Sequence, residues 1–292
     1  MEIKFIDRKT GQIKIESPPA EGLLKFLYDN PLGKIAILPL VKRKFISSWY
    51  GSQMDKASSK QKIEGFVKEH QIDLSESTKS LSEFTSFNDF FYRKLKPGAR
   101  AIENGLVSPG DGRLLAFENV DNIDRFFVKG NEFSMSSFLE NHDLAKKYEG
   151  ASMFILRLAP NDYHRFHFPY EGIPSEIKEI KGSYFSVSPH AVKNNFARIF
   201  CENKREYSIL STQDKGDIVI APVGATMVGS ILETFEPGMK VEKGQEMGYF
   251  AFGGSSVVML VEKGMINIDK DLLQNTANRL ETYVQLGDKI AV

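Results

Sequence analysis

Apolar and polar positions change their period along the chain, and the change separates a helical N-terminal part from a β-rich remainder. Residues 3–15 alternate on both sides of a Gly-containing turn at 8–11, which predicts a β-hairpin. Apolar residues recur at helical spacing near 23–28 and again at 58–70. From residue 106 onward, short β-type runs are separated by Gly, Pro, Asn and Asp. We therefore expect an α+β fold, with a mainly antiparallel β domain behind a helical N-terminal region.

Four phenylalanines fall on one face of a further predicted helix, which ends at Pro97-Gly98. They are Phe84, Phe87, Phe90 and Phe91. A polar stretch at 75–86 reads as a linker with capping residues. We place a domain boundary at this point. Residues 1–83 form the N-terminal hairpin and amphiphilic helical region, and residues 84–292 form the β-rich domain. Arg93, Lys96 and Arg100 follow the phenylalanines and suit either a phosphate or the carbonyls of a helix end.

The sequence contains a short internal echo. Residues 107–114 resemble residues 220–227 in their order of apolar, small and proline positions, as if a strand entered a tight turn twice. The second copy continues into a turn style common in lipoyl- or biotinyl-type β modules. The echo predicts two related lobes of lipoyl or hybrid-motif type. Asp111 in the first copy stands opposite Gly224 in the second, so Asp111 is a candidate for chemistry.

An amphiphilic segment covers residues 34–50. It is apolar at 35–41, basic at 42–44 and aromatic at Trp49-Tyr50. Its apolar part is too short to span a bilayer, which needs about 20 residues. The segment suits a membrane surface, with its basic residues near anionic headgroups, and it equally suits a core helix with a solvated charged end.

Composition indicates which kinds of partner and which cell compartment suit the protein. The 292 residues carry 38 basic and 38 acidic side chains, so no overall field attracts nucleic acid. Cys201 is the single cysteine, which excludes an intrachain disulfide and suits a reducing compartment. The N-terminus mixes acidic and basic residues and lacks the pattern of a secretory signal. We expect a protein on the cytoplasmic side.

Candidate chemistry begins at Gly253-Gly254-Ser255, between two apolar strand-like segments. The glycines permit a strained turn, and the Ser255 hydroxyl can attack the carbonyl before it if a base removes its proton. The result would be self-cleavage. The alternative is an ordinary surface hairpin.

The candidate bases are His164 and His167, in a proline-containing turn that follows the apolar run 153–158. With Asp111 as the acid and Ser255 as the nucleophile, His167 completes an acid, base and nucleophile set. Two structural histidines are the alternative. No His-Glu-x-x-His pattern is present, and we expect no metal site.

Four blocks together resemble phosphatidylserine decarboxylases in order and spacing. They are residues 90–100, 108–112, 162–167 and 253–256. The resemblance extends from about residue 84 to the end and implies a proenzyme cut between Gly254 and Ser255. Its products would be a β chain of residues 1–254 and an α chain of residues 255–292. Ser255 would become a covalent pyruvoyl group that forms a Schiff base with the substrate amine. Many members carry Leu-Gly-Ser-Thr where this chain has Gly-Gly-Ser-Ser, a form of another branch.

The resemblance also implies roles and partners. Asp111 and His167 would promote the cleavage, with His167 as the base, and His164 would assist decarboxylation as a proton donor. The substrate would be phosphatidylserine in the membrane, and the products phosphatidylethanolamine and CO2. A peripheral protein on the cytoplasmic face of the cell membrane, assembled as a homodimer of processed units, is expected. This raises the membrane-surface interpretation of residues 23–50 above the core-helix one.

Two other functions remain open from the residues alone. One is a Ser-His-Asp hydrolase of another ester or peptide, and the other is a non-catalytic carrier or scaffold of lipoyl-type modules. Both predict an intact chain after purification, whereas the proenzyme predicts two chains.

Overall fold

The chain opens with the hairpin that its alternating pattern predicts. In a computed structural model, β1 (Ile3–Asp7) and β2 (Ile13–Glu16) are antiparallel neighbours, and the prediction is confirmed. The structure describes residues 3–16, 51–125, 133–187, 189–224, 231–251 and 255–292. The predicted helix near 23–28 and the amphiphilic segment 34–50 therefore lie outside the described residues.

The helix predicted at 58–70 is present in two parts. A 3₁₀ helix (Ala57–Lys62) leads directly into α1 (Ile63–His70). The expected capping residues are also found. Ser80 and Glu83 form a capping box on a 3₁₀ turn (Leu81–Glu83), and Ser86 accepts a hydrogen bond from the Asp89 N–H at the start of the next helix.

That next helix, α2 (Phe87–Phe91), is shorter than predicted. The sequence predicts a helix as far as Pro97, but the chain after Phe91 pairs with the polar stretch 75–86 instead. The Lys96 N–H donates to the Glu76 carbonyl, and Ser77 forms a β-bridge with Leu95. The four phenylalanines nevertheless pack into one buried cluster with Met54 and Ile63, as their common face indicates.

The remaining elements are mostly short strands, as expected from residue 106 onward. The strands are β3 (Leu106–Val107), β4 (Gly112–Phe117), β5 (Ser152–Leu158), β6 (Arg165–His167), β7 (Ile173–Pro174), β8 (Lys178–Ile180), β9 (Arg205–Ser211), β10 (Asp217–Gly224), β11 (Ile231–Glu233), β12 (Glu246–Phe250), β13 (Ser255–Val261), β14 (Glu281–Val284) and β15 (Lys289–Ala291). The helices are a 3₁₀ helix (Val120–Arg125), α3 (Met135–Leu139), α4 (His142–Lys147), α5 (Pro189–Glu202) and α6 (Lys270–Ala277).

Ten strands form one sheet in the order β2-β1-β14-β4-β5-β13-β10-β9-β7, with β8 also paired to β9. Among the described strands only β1 and β14 pair in parallel, so the prediction of a mainly antiparallel α+β fold is confirmed. Smaller sheets join β11-β12-β6 and β15-β3. Every residue of β5 and β13 is buried, so the main core lies at the centre of the large sheet.

The N-terminal hairpin belongs to the same sheet as the strands after residue 106, because Phe5 pairs with Glu281. The phenylalanine cluster likewise draws residues from both sides of position 83. The boundary at 83/84 stays a prediction. In the described part of the chain, no helix has the length and apolar character needed to cross a membrane.

Candidate active site

The candidate nucleophile lies at one end of the central sheet. Ser255 is the first residue of β13, where it pairs with Leu158 of β5 on one side and Gly224 of β10 on the other. Its side chain is fully buried. A buried Ser255 is not what the alternative of an ordinary surface hairpin predicts. Gly253 and Gly254, which precede it, lie outside the described residues, and so does the predicted cleavage site between Gly254 and Ser255.

The candidate acid and bases reach the same end of the sheet. Arg157 of β5 pairs with Arg113 of β4 and with Ser256 of β13, which aligns the three strands in one row. The turn that holds Asp111 precedes β4, and the turn that holds His164 follows β5. Because neighbouring antiparallel strands begin and end alternately at one edge, both turns lie beside Ser255.

His164 is the imidazole that contacts the nucleophile. Its Nδ1 lies 3.4 Å from Ser255 Oγ, and its Nε2 lies 3.0 Å from the Ala159 carbonyl oxygen. A carbonyl only accepts hydrogen bonds, so Nε2 carries the proton and Nδ1 presents a lone pair to the hydroxyl. Burial, reinforced by the positive charge of Arg93, lowers the pKa of His164 to about 3. The ring is therefore neutral at neutral pH.

Two further contacts hold His164 in place. The Phe91 ring from α2 stacks on the imidazole, with centroids 3.9 Å apart and planes 22° apart. The His164 carbonyl accepts a hydrogen bond of 3.0 Å from the Phe250 N–H, the last residue of β12. His164 thus contacts both ends of the segment 251–254 that joins β12 to β13.

His167 is engaged elsewhere. Its Nδ1 lies 2.9 Å from the Gly244 carbonyl and so carries the proton, and its Nε2 accepts a hydrogen bond of 3.1 Å from the Tyr163 hydroxyl. Burial lowers the pKa of His167, while the Gly244 carbonyl and the charges of Glu246 and Asp111 act in the opposite direction.

Asp111 is a buried carboxylate with two firm partners. Its Oδ2 accepts a hydrogen bond of 2.8 Å from Arg100 Nη2, and its Oδ1 accepts one of 2.8 Å from the Leu286 N–H. The His167 N–H donates to the carbonyl of Pro109, two residues before Asp111. Within the described residues, no hydrogen bond joins Asp111 to His167 or His167 to Ser255. The structure brings Ser255 and His164 into direct contact and places His167 beside the turn that holds Asp111.

Asp162 and Tyr163 also belong to the site, although no role for either follows from the sequence patterns. Asp162 Oδ2 accepts a hydrogen bond of 2.7 Å from the Ala159 N–H and pairs with Arg113. It thereby fixes the turn whose Ala159 carbonyl holds the His164 tautomer. The signal was the Pro-Asn-Asp sequence after β5, which is typical of a side-chain-stabilised turn. Tyr163 lies four residues before His167, and no sequence pattern indicated their contact.

Comparisons with known proteins identify the family. The family model described as phosphatidylserine decarboxylase matches residues 87–292. The phosphatidylserine decarboxylase proenzyme of Fusobacterium nucleatum subsp. nucleatum is 54% identical over 291 residues, which cover 99% of this chain and 97% of that protein. Proenzymes of the same description from Desulfitobacterium hafniense strain Y51 and Clostridium novyi strain NT are each 45% identical, over 99% of this chain and 98% of each relative.

These matches cover the four sequence blocks and nearly all of the chain before them. The family uses a pyruvoyl cofactor that is generated by self-cleavage. The resemblance inferred from the blocks is confirmed, and the chain belongs to the phosphatidylserine decarboxylase family of carboxy-lyases.

Proposed function

We propose that the chain is made as a precursor, cuts itself between Gly254 and Ser255, and then converts phosphatidylserine to phosphatidylethanolamine and CO2. The observation that carries this proposal is the buried Ser255 hydroxyl beside the lone pair of a neutral imidazole, at a strand start directly after two glycines. A buried hydroxyl next to a proton acceptor is a candidate nucleophile, and the nearest backbone electrophile is the carbonyl that precedes it.

In the cleavage, Ser255 Oγ attacks the Gly254 carbonyl, and the peptide bond becomes an ester. Elimination then breaks the ester, which leaves a carboxylate on Gly254 and a dehydroalanine at position 255. Water hydrolyses the amino group of this dehydroalanine, so that ammonia leaves and a ketone remains. The first step needs a proton acceptor for the hydroxyl, and the second needs one for the α-hydrogen of residue 255.

His167 is the better base of the two imidazoles. Burial lowers both pKa values. At His167 the charges of Glu246 and Asp111 oppose this effect and that of Arg165 adds to it, whereas at His164 both nearby charges, Arg93 and Arg113, add to it against the carbonyls of Ala159 and Pro160. A neutral imidazole with a pKa of about 3 is a weak acceptor for a hydroxyl proton. We therefore assign His167, supported by the Asp111 carboxylate, to the cleavage, which requires the Tyr163 hydroxyl to release the Nε2 lone pair of His167. We assign His164 to orienting the Ser255 hydroxyl in the precursor.

The residues around position 255 fit a group made from that serine. When present, the pyruvoyl group supplies an electrophilic carbonyl that accepts electrons as the substrate loses CO2. His164, held by Phe91 and Ala159, lies where a proton donor to the substrate carbon is needed. A negatively charged substrate beside it raises its affinity for a proton. The burial at Ser255 limits the access of water.

The finer organisation is also a proposal. β4 and β10, which contain parts of the internal echo, flank the pair β5 and β13 symmetrically in the sheet order, and this supports two related lobes. We assign residues 1–83 to an N-terminal region that associates with the membrane and residues 84–292 to the catalytic domain. The membrane contact, on the cytoplasmic face, would be made by residues 23–50, and two processed units would form a homodimer.

The experiment combines processing with turnover. Purified protein is incubated with phosphatidylserine labelled at the serine carboxyl carbon, and released CO2 is counted. The wild type should be cut and should release CO2, while Ser255→Ala should remain one chain without activity. A cut wild-type protein that releases no CO2 would refute the decarboxylation. An intact wild-type chain would support the hydrolase or the carrier instead.

A further inference from the structure

The buried arginines among the described residues differ in the ion pairs and hydrogen bonds that their side chains form. They are Arg93, Arg113, Arg157, Arg165 and Arg205. Arg113, Arg157 and Arg165 each form an ion pair with a carboxylate. Arg205 donates to three backbone carbonyls at 2.7 to 2.9 Å. A buried guanidinium needs such partners, because an unpaired buried charge is costly.

Arg93 has much weaker partners. Its single hydrogen bond among the described residues is a long one, 3.5 Å from Nη2 to the Asp162 carbonyl, and its guanidinium lies 5.3 Å from the centre of the Phe90 ring. The residue is 8% exposed. Two carboxylates act on it electrostatically, but Asp111 is bonded to Arg100 and Asp162 is bonded to Arg113. Most of its five N–H donors therefore have no acceptor among the described residues.

Arg93 is also close to the reacting centre. Its charge is the second cause, after burial, of the low pKa of His164. It follows α2, which carries Phe91 onto the His164 ring, and its one acceptor belongs to Asp162, two residues before His164. By contrast, Lys96 donates to the Ser75 carbonyl, and Arg100 pairs with Glu76 and Asp111. Lys94, the remaining cation of this stretch, is exposed to solvent. Among the described residues, Arg93 is therefore the buried cation of the stretch that is left for an external anion.

We propose that Arg93 binds the phosphodiester of the lipid headgroup, an inference that rests on the proposed function. The substrate has two anionic groups, a carboxylate and a phosphodiester. The carboxylate loses its charge as CO2 leaves, so a guanidinium held on it would stabilise the ground state more than the transition state. The phosphodiester keeps its charge throughout the reaction. A planar guanidinium can donate two parallel hydrogen bonds to it.

The kinetic test compares Arg93→Gln with Arg93→Lys, which keeps the positive charge. The control is Arg198→Gln, which removes a cation from the partly exposed ion pair with Glu202. Arg93→Gln should be cut like the wild type, with KM for phosphatidylserine in mixed micelles raised about tenfold or more and kcat within about threefold. Arg93→Lys should recover part of the loss. An unchanged KM, or a block of cleavage in both Arg93 variants, would overturn the proposal.

A binding test separates the phosphodiester from a carboxylate. Processed wild type and Arg93→Gln are titrated calorimetrically with sn-glycero-3-phosphoethanolamine, which has an amine and a phosphodiester, and with L-serine, which has an amine and a carboxylate. The proposal requires that Arg93→Gln bind sn-glycero-3-phosphoethanolamine about tenfold more weakly than the wild type does, and that it bind L-serine with unchanged affinity. A loss confined to L-serine would assign Arg93 to the substrate carboxylate. If the substitution weakens the binding of neither ligand, Arg93 would instead pair with the carboxylate that cleavage leaves on Gly254. Each of these two outcomes refutes the proposal. Failure of the wild type to cut itself or to release CO2 refutes the function separately.

Discussion

Ser255 Oγ lies 3.4 Å from Nδ1 of His164, on the side of the ring that carries no proton. His167, three residues further along, uses both ring nitrogens for Gly244 and Tyr163. The two histidines thus occupy different environments, one against the nucleophile and one near the Asp111 carboxylate. This separation supports different roles for them.

The first prediction concerns that division of roles. His167→Ala should slow the appearance of cut chains by about two orders of magnitude or more, because a general base is lost. His164→Ala should allow cleavage but should lower kcat of the processed enzyme. Electrophoresis over time measures the first effect and CO2 release the second. His142→Ala, at an exposed position, is the matched control. Normal maturation of the His167 variant would contradict the assignment.

The second prediction concerns the turn that holds His164. Asp162→Asn keeps the shape of the side chain but removes the charge that pairs with buried Arg113. Glu16 also pairs with Arg113, and burial raises the pKa of Asp162, so the ionised carboxylate is itself costly there. We expect the free energy of unfolding to fall by about 1 to 3 kcal/mol, the range for a buried polar group that loses its partner. Urea unfolding is measured in a Ser255→Ala background, where the chain stays whole.

The same substitution in the native background should allow cleavage but should lower kcat of the processed enzyme, since the Ala159 carbonyl that fixes the His164 tautomer depends on this turn. The exposed residue Asp121, as Asp121→Asn, serves as the control. If Asp162→Asn is as stable as the control and has the normal kcat, the turn does not position His164.

The third prediction is a loss of stability in mild acid. Burial lowers the pKa of His164 to about 3, while an unfolded histidine titrates near 6.5. Between these values the unfolded chain binds a proton that the folded chain does not, so the contribution of His164 to stability is complete above about pH 6.5 and falls as the pH decreases. His167, whose pKa is also lowered, acts in the same direction.

The slope contributed by His164 should approach about 1.4 kcal/mol per pH unit below pH 6.5. It is measured by urea unfolding of the Ser255→Ala protein between pH 7.5 and about 5.5. In this range Glu233, whose pKa burial raises to about 8, acts in the opposite direction, so the contribution of His164 is taken from the difference between variants. His164→Gln in that background should flatten the curve, and His142→Gln should not. A curve that is equally steep in both variants would show that His164 is not held neutral.

Local patterns predicted much of the fold. The alternation at 3–15 predicted the hairpin, and the common face of the phenylalanines predicted their shared cluster. These features depend on neighbours in sequence. The parallel pairing of Phe5 with Glu281 and the early end of α2 depend on contacts with distant residues, and no local pattern shows them.

The candidate site follows the same rule. Its side-chain types could be predicted from the sequence, since Ser255 follows two glycines and the histidines follow a strand. Which histidine faces Ser255 could not, because it depends on Phe91 stacking on one ring and Gly244 holding the other. The sequence also could not separate Arg93 from Arg100, because they differ in the residues that each contacts in the fold, the Asp162 carbonyl and the Asp111 carboxylate.

The most direct test of the central claim is denaturing mass spectrometry of the purified wild-type protein. Cleavage before Ser255 divides the 292 residues into fragments of 254 and 38 residues (292 minus 254). The smaller fragment should have a blocked N-terminus that reacts with a hydrazide, and Ser255→Ala should give one intact chain. An active wild-type protein that consists of a single uncut chain, with no carbonyl to trap, would contradict the account.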